Sequence, residues 1–185
     1  MTNANSLEPA GRDISISMER ANVLAAWILP AAAIATLLPF WLVWGGAELK
    51  AGFQATLTLW IIPGMVAVVI IHEGLHGLAF LLSGVPRDQI HFGIHRETLT
   101  PFAGCRIPVN AAAYRFAVAL PALAMGVVPW LVAMVTGTGW LAIVAMAMIA
   151  FAGGDLIVLW TTRSLPGTAR VLDHPNRVGC MVVDG

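Results

Sequence analysis

The sequence predicts an all-α membrane protein with four transmembrane helices and a short cytoplasmic β-hairpin between helices two and three. Three observations lead to this prediction. The chain of 185 residues is 58% hydrophobic and only 11% charged, whereas an average soluble domain is about 25% charged. Its mean hydropathy is +0.81. Four apolar stretches each reach the about 20 residues that a helix needs to cross a bilayer.

The same composition excludes several classes of protein. Ten Lys and Arg balance ten Asp and Glu, so the formal net charge is zero. A nucleic-acid partner is not expected, because such proteins carry a positive footprint. Intrinsic disorder is excluded, because it requires low hydrophobicity and high charge. An ordinary soluble enzyme would need a more hydrophilic exterior, and membrane lipid is the expected surrounding.

The predicted transmembrane domain covers residues 23–162, between an N-terminal tail (1–22) and a C-terminal tail (163–185) that are both assigned to the cytoplasm. The polar first tail lacks the pattern of a cleavable signal peptide, so the first span is expected to stay as an anchor. Prolines inside the spans are acceptable because neighbouring groups satisfy the carbonyls that a proline frees. The four spans cover about 23–44, 55–82, 116–135 and 140–162.

The basic residues predict the orientation. With four spans, both tails and the loop between spans two and three share one side, while Lys50 is the one basic residue on the other side. Such a bias places the basic side in the cytoplasm, so the chain is predicted to be a multi-pass protein of the inner (cytoplasmic) membrane. The basic side holds nine arginines: Arg12, Arg20, Arg87, Arg96, Arg106, Arg115, Arg163, Arg170 and Arg177.

The loop 84–110 is the largest soluble segment between spans. Alternating polar and apolar residues over 90–95 and 98–107 predict the two strands of the hairpin. The C-terminal tail looks irregular, with one candidate short strand at Cys180–Val183.

Two cysteines, Cys105 and Cys180, fall on the predicted cytoplasmic side, where a reducing environment disfavours a disulfide. Neither belongs to a CxxC pair. The two thiols either share a metal or, as the favoured interpretation, are unconnected small residues.

The second span contains an HExxH motif, from His72 and Glu73 to His76. Residues four apart lie on one face of a helix, so both imidazoles can bind one metal ion while Glu73 acts on a water beside it. Ionisable groups inside a span cost a few kcal/mol unless they are partnered, and they are functional candidates for that reason. The alternative is a hydrogen-bond network that packs helices together.

Asp155 is the predicted third ligand. A hydrolytic zinc site usually has three protein ligands and one open position for water. His76 lies eight residues before Gly84 and Asp155 eight residues before Arg163, at the predicted cytoplasmic ends of their spans. Both are therefore about 12 Å deep. The alternative for Asp155 is a carboxylate satisfied by backbone groups at a helix kink.

These motifs resemble a known family. HEGLHGLAF in span two, the hairpin loop with Pro101, Phe102 and Cys105, GGDL in span four and DHPNRVGCMVV in the tail are similar to the bacterial zincin-peptidase family of small four-helix membrane proteins, over roughly 71–183. More distantly, HExxH with a later intramembrane aspartate resembles the site-2-protease class of intramembrane metalloproteases. The resemblance implies His72, His76 and Asp155 as zinc ligands and Glu73 as the general base.

The predicted function is an intramembrane zinc metallopeptidase that hydrolyses peptide bonds of membrane-associated proteins with a metal-activated water. The expected cofactor is Zn2+, and the expected partner besides lipid is a membrane-protein substrate. Two alternatives are a non-proteolytic metal-binding membrane protein, such as a transporter, and a catalytically silent relative.

Further residues have open roles. Asn110, Tyr114 and Arg115 are candidates for a second oxyanion donor, or else interfacial anchors. His91 and His95 can reach one metal, although solvated side chains are the favoured interpretation. The hairpin edge either receives an extended substrate segment through backbone hydrogen bonds or only caps the site.

Overall fold

The computed structural model of the chain describes residues 11–58, 61–95, 100–174 and 177–183. Within these ranges the protein is mostly helical and has two small sheets. The helices are α1 (Met18–Trp44), α2 (Gly46–Thr58), α3 (Ile61–Leu82), α4 (Ala111–Pro121), α5 (Val128–Thr136), α6 (Gly139–Phe151) and α7 (Gly153–Thr162). The strands are β1 (Gly11–Asp13), β2 (Ile90–His95), β3 (Thr100–Cys105), β4 (Val109–Asn110), β5 (Arg170–Asp173) and β6 (Cys180–Val183).

Two helices of the described chain are long and apolar enough to cross a membrane. One is α1, and the other is Ala111–Thr136, in which a π-helical turn at Ala122–Val127 joins α4 to α5. The pair α6 and α7 provides a third span if it counts as one, although it bends by 52° at Ala152. Trp27 of α1 is 72% exposed, as expected for a side chain that faces lipid. The apolar helices therefore indicate membrane association.

The predicted second span, 55–82, corresponds to two helices. Its first residues belong to α2 and the rest belong to α3, while 59–60 lie outside the described residues. Helix α3 itself has 22 residues, and Val66–Leu82 is its apolar stretch within the described residues. The arrangement with four spans stays a prediction.

The first helix begins earlier than predicted because the sequence supplies a cap. Ser17 has extended backbone angles, and its hydroxyl accepts the backbone N–H of Arg20 at 3.4 Å. A serine at this position satisfies one of the N–H groups that a helix start leaves unpaired. The helix therefore starts at Met18, within the predicted N-terminal tail.

Helix α4 packs against both α3 and α7, and the three helices form the larger buried cluster together with the strands, around Phe80, Tyr114 and Val171. A smaller cluster lies where α1, α5 and α6 meet, at Phe40, Ala133 and Ala142. The two clusters divide the molecule into two parts, and the chemistry described below lies in the first.

Strands β2 and β3 form the predicted antiparallel pair, with Ile90 opposite Cys105. The connecting residues 96–99 lie outside the described residues. Phe92 packs on α3, since a Cβ atom at Gly77 would lie 2.6 Å from the Phe92 ring. The strands are confirmed within about two residues of their predicted bounds, whereas their cytoplasmic location stays a prediction.

The two chain tails meet in one sheet, which differs from the irregular C-terminal tail expected from the sequence. The strand order is β1-β6-β5-β4, and Gly11 pairs with Val183 while Val109 pairs with Val171. Strand β6 coincides with the candidate strand at Cys180–Val183, but β5 and β1 were not predicted. Such short strands carry little local signal, and their pairing depends on residues far away in the sequence.

Candidate metal centre

Helix α3 presents the two histidines of the HExxH motif on one buried face. His72 is 5% exposed and His76 is 7% exposed, and the centroids of their rings lie 4.9 Å apart. Potential ligand atoms of His72, Glu73 and His76 all lie within 4.8 Å of one another. The spacing of the motif thus produces the cluster that helical geometry predicts.

Asp155 reaches this cluster from the first turn of α7. The Nε2 atom of His72 lies 3.1 Å from Oδ2 of Asp155, and the Nε2 atom of His76 lies 3.4 Å from Oδ1. The bend between α6 and α7 starts a new helix just before Asp155, and a carboxylate is favourable in the first turn of a helix. The structure therefore brings together all four residues singled out from the sequence.

The donor atoms of this cluster are suited to a zinc ion. Within the described residues, Glu73 Oε2 and Asp155 Oδ2 are buried atoms without a hydrogen-bond partner, although buried polar atoms are nearly always hydrogen-bonded. The short approach of His72 to Asp155 thus lacks hydrogen-bond geometry. Imidazole nitrogens and carboxylate oxygens are ligands that zinc prefers. His72, His76 and Asp155 would hold the ion, with Glu73 beside it.

The orientation of His76 is fixed by a backbone group of α4. Its Nδ1 atom lies 2.9 Å from the carbonyl oxygen of Ala117. Because a carbonyl only accepts, Nδ1 carries a proton and donates it to Ala117, while Nε2 is the nitrogen that faces Asp155. A metal-binding histidine usually has its second nitrogen fixed by such a partner. Sequence reasoning missed this contact, because a backbone acceptor has no residue type of its own.

Glu73 is held by strand β3. The backbone N–H of Ala103 donates to the Glu73 carboxylate. Arg106 N–H donates to the Gln89 carbonyl across the strand pair, so in an antiparallel ladder the amides of Ala103 and Cys105 face away from β2. The outer edge of β3 therefore runs beside the motif.

A cleft of about 970 Å³ contains the cluster and continues toward the sheet formed by the tails. Asp173 of β5 lies in its wall and accepts the backbone N–H of Cys105 at 3.2 Å and the hydroxyl of Tyr114. Burial raises the pKa of Asp173, and these two hydrogen bonds oppose that increase. This half-buried aspartate was not predicted from the sequence, in which it stands in a tail without helical or strand periodicity.

The three candidate oxyanion donors have different surroundings. Tyr114 lines the cleft, and its hydroxyl is directed to Asp173. Arg115 donates to the carbonyls of Thr162 and Leu165 at 2.9 and 3.0 Å, at the end of α7. Asn110 is exposed at the start of α4. Of the three, Tyr114 is the side chain that lies in the cleft.

The interpretation of His91 as a solvated side chain is wrong. His91 lines the cleft, and its Nδ1 atom is buried without a hydrogen-bond partner in the described part of the chain. Its ring packs edge-on against Phe102 at 5.5 Å. The side chain of His95 lies outside the described residues.

Cys105 and Cys180 are free and buried. Burial, with a contribution from the charge of Asp173, raises the pKa of each thiol to about 12. Both thiols are therefore protonated at neutral pH, and both lie among the apolar side chains of the larger buried cluster. The structure favours the interpretation as two unconnected small residues.

Comparison with known proteins agrees with this geometry. No curated protein and no solved structure matches the chain. Residues 65–170 match the family described as "Putative zincin peptidase", a segment that includes more than half of the chain and contains His72, Glu73, His76 and Asp155. The chain belongs to this family.

Proposed function

We propose that the protein is an intramembrane zinc metallopeptidase that hydrolyses peptide bonds of membrane-associated proteins. The observation that carries the proposal is the convergence of His72, His76 and Asp155, with a buried oxygen of Asp155 left without a hydrogen-bond partner among the described residues. A general-base candidate, Glu73, lies next to these groups within an apolar helix. The family description supports the peptidase activity.

The chemistry follows from the positions of these groups. A bound zinc ion would acidify a water molecule and polarise the peptide carbonyl. The Glu73 carboxylate would accept a proton from the attacking water molecule and would later return that proton to the leaving amine. The amide of Ala103 holds Glu73 in place, and the Ala117 carbonyl holds His76.

The outer edge of β3 suggests how a substrate is bound. Its outward amides at Ala103 and Cys105 donate to Glu73 and Asp173 in this structure, and a bound segment would take the place of these acceptors. An extended segment can add to a strand edge through backbone hydrogen bonds. A helical substrate would have to unwind first, and a segment of a membrane protein drawn into the cleft fits this requirement.

The proposed location is the inner membrane, with four spans and both tails in the cytoplasm. The excess of arginine over Lys50 supports this orientation, and the apolar helices support membrane association. Reporter fusions to residues 1–22 and 163–185 should both report the cytoplasm, and a periplasmic signal from either one would contradict the orientation.

Metal analysis of the purified protein tests the site. Wild type should contain about one zinc ion per chain, whereas His76→Ala and Asp155→Ala should lose most of it, because each removes one of three ligands. Asp88→Ala is the matched control, since Asp88 is exposed in the loop after α3. Equal zinc in all four proteins would contradict the site.

Hydrolysis must be tested separately from metal binding. Wild type loaded with zinc should cleave a quenched-fluorescent peptide pool derived from transmembrane segments in detergent micelles. If the protein binds zinc through these residues but leaves both this pool and co-expressed membrane proteins intact, a non-proteolytic metal protein or a catalytically silent relative replaces the proposal.

A further inference from the structure

Pro121 lies at the end of α4, four residues after Ala117. In an α-helix the carbonyl of Ala117 would accept the N–H of residue 121. Proline has no N–H, so the sequence itself leaves the Ala117 carbonyl without its regular helical donor. The next amide does not replace it, because the N–H of Ala122 donates to the carbonyl of Ala119.

The freed carbonyl faces α3 and accepts a hydrogen bond there. Its partner is the Nδ1–H of His76 at 2.9 Å, in a buried setting. Pro121 thus frees the Ala117 carbonyl from the helix, and in the described structure this same carbonyl fixes the His76 imidazole. Helix α4 packs against α3 at this level, and the π-helical turn at Ala122–Val127 follows directly.

We infer that Pro121 is a positioning residue for His76: by withholding a backbone donor, it reserves the Ala117 carbonyl for Nδ1–H and keeps Nε2 free to bind metal. This inference rests on the proposed function for its metal, but its tautomer test does not need metal. Pro121 does not touch substrate or zinc in this role. It acts through one backbone oxygen and one imidazole.

A donor restored at position 121 would compete with His76. In Pro121→Ala the new N–H can donate to the Ala117 carbonyl and draw it back along the helix axis. His76 would then lose its fixed partner and distribute between the two tautomers. Mutation of a group that orients a metal-binding histidine typically lowers metal affinity about 10- to 100-fold.

The first measurement is the ¹⁵N chemical shift of the His76 imidazole in the metal-free protein. Wild type should show a protonated, hydrogen-bonded Nδ1 near pH 8, and Pro121→Ala should lose this preference for Nδ1. The zinc dissociation constant from chelator competition should rise about tenfold or more. Pro129→Ala is the matched control, because Pro129 lies in the same continuous helix and is not among the residues that line the cleft.

A second variant distinguishes the effect of the missing backbone N–H from the effect of the proline ring. Lactate at position 121, introduced as an α-hydroxy acid, has the side chain of alanine but no N–H. The inference is supported if this variant keeps the wild-type tautomer and zinc affinity while Pro121→Ala changes both. Should Pro121→Ala fail to fold, Pro121→Gly restores the same N–H and takes its place in this comparison.

Two results would overturn the inference: wild-type tautomer and affinity in Pro121→Ala, or a lactate variant with lost tautomer preference and weakened zinc binding. If wild type itself bound no zinc, the proposed function would fail, while the ¹⁵N tautomer comparison would still decide the role of Pro121.

Discussion

Polar groups are satisfied differently in two parts of the molecule, the part around α3, α4 and α7 and the part around α1, α2, α5 and α6. In the second part, which we call the scaffold half, Trp44 Nε1 donates to the Met134 carbonyl and Trp130 Nε1 donates to the Thr36 carbonyl, both at 3.0 Å. In the first part, the site half, the described buried atoms without partners are found in Glu73, His91 and Asp155, and all three residues line one cleft.

The difference shows which part of the molecule contains groups that lower the stability of the folded protein. A buried polar atom without a partner costs about 1–3 kcal/mol, so several of them in one cleft are kept for a purpose other than stability. The scaffold half is instead held by close backbone contact: a Cβ atom at Gly139 would lie 2.1 Å from the Glu48 carbonyl oxygen. Substitutions in the two halves should therefore have separable effects on chemistry and on stability.

The largest expected effect is on hydrolysis, in Glu73→Gln. This variant should retain zinc and lose about 10²- to 10⁴-fold in rate, because the amide cannot accept the proton from water. Cleavage of the peptide pool and zinc content are measured on the same preparation. Glu48→Gln makes the same substitution at an exposed position of the scaffold half, and it should leave both quantities unchanged. Wild-type cleavage by Glu73→Gln would exclude Glu73 as the base.

Next in size is the cost of disturbing the scaffold. Gly139→Ala should lower the free energy of unfolding by about 1–3 kcal/mol, since the added methyl meets the backbone of α2. Zinc per folded chain should not change. Thermal unfolding in detergent gives the comparison with Gly64→Ala, whose new Cβ meets nothing within 4 Å. If Gly139→Ala and Gly64→Ala were equally stable, the close backbone contact at Gly139 would not be what holds the scaffold half together.

Asp173 sharpens the comparison because it lies in the cleft and yet has hydrogen-bond partners. Its pKa is raised above 3.8 by burial, so the folded state binds this proton more tightly than the unfolded state. The contribution of Asp173 to stability is then fully present below pH 3.8 and is lost as pH rises through the folded pKa. Asp173→Asn should remove this part of the pH dependence, as measured by unfolding between pH 3 and pH 8. An unchanged slope would contradict the assignment.

The smallest expected effect concerns the thiols. Because the pKa of Cys105 and of Cys180 is about 12, iodoacetamide at pH 7.5 should modify neither one in the folded protein, whereas both should react after denaturation. Mass spectrometry counts the adducts. Rapid modification of the folded protein would show that the two thiols are accessible and reactive, and it would contradict their raised pKa.

Much of this architecture could be predicted from local patterns. Apolar length predicted α1 and the helix Ala111–Thr136, and alternation predicted β2 and β3. The sheet that joins the tails could not be predicted, because its pairings, such as Gly11 with Val183, connect residues that are distant in sequence and have weak strand signals of their own. The extent of α2 was missed for a similar reason, since its contact with α6 depends on Gly52 and Gly139 meeting in space.

The site shows the same division. The four-residue spacing of His72 and His76 and the equal predicted depth of Asp155 were sufficient to place these groups together. The partners that orient them are backbone atoms of Ala103 and Ala117, which any residue type could supply. One signal was available: a proline four residues after Ala117 marks a carbonyl that lacks its helical donor.

The position of β6 has a consequence for the order in which the protein is made. This strand is the last one along the described chain, yet it lies between β1 and β5 in the sheet. During synthesis, β1 therefore waits for its neighbour until Cys180–Val183 has left the ribosome, long after the helices have been produced. The wall of the cleft that contains Asp173 is completed last. A nascent chain therefore contains His72, His76 and Asp155 before that wall exists.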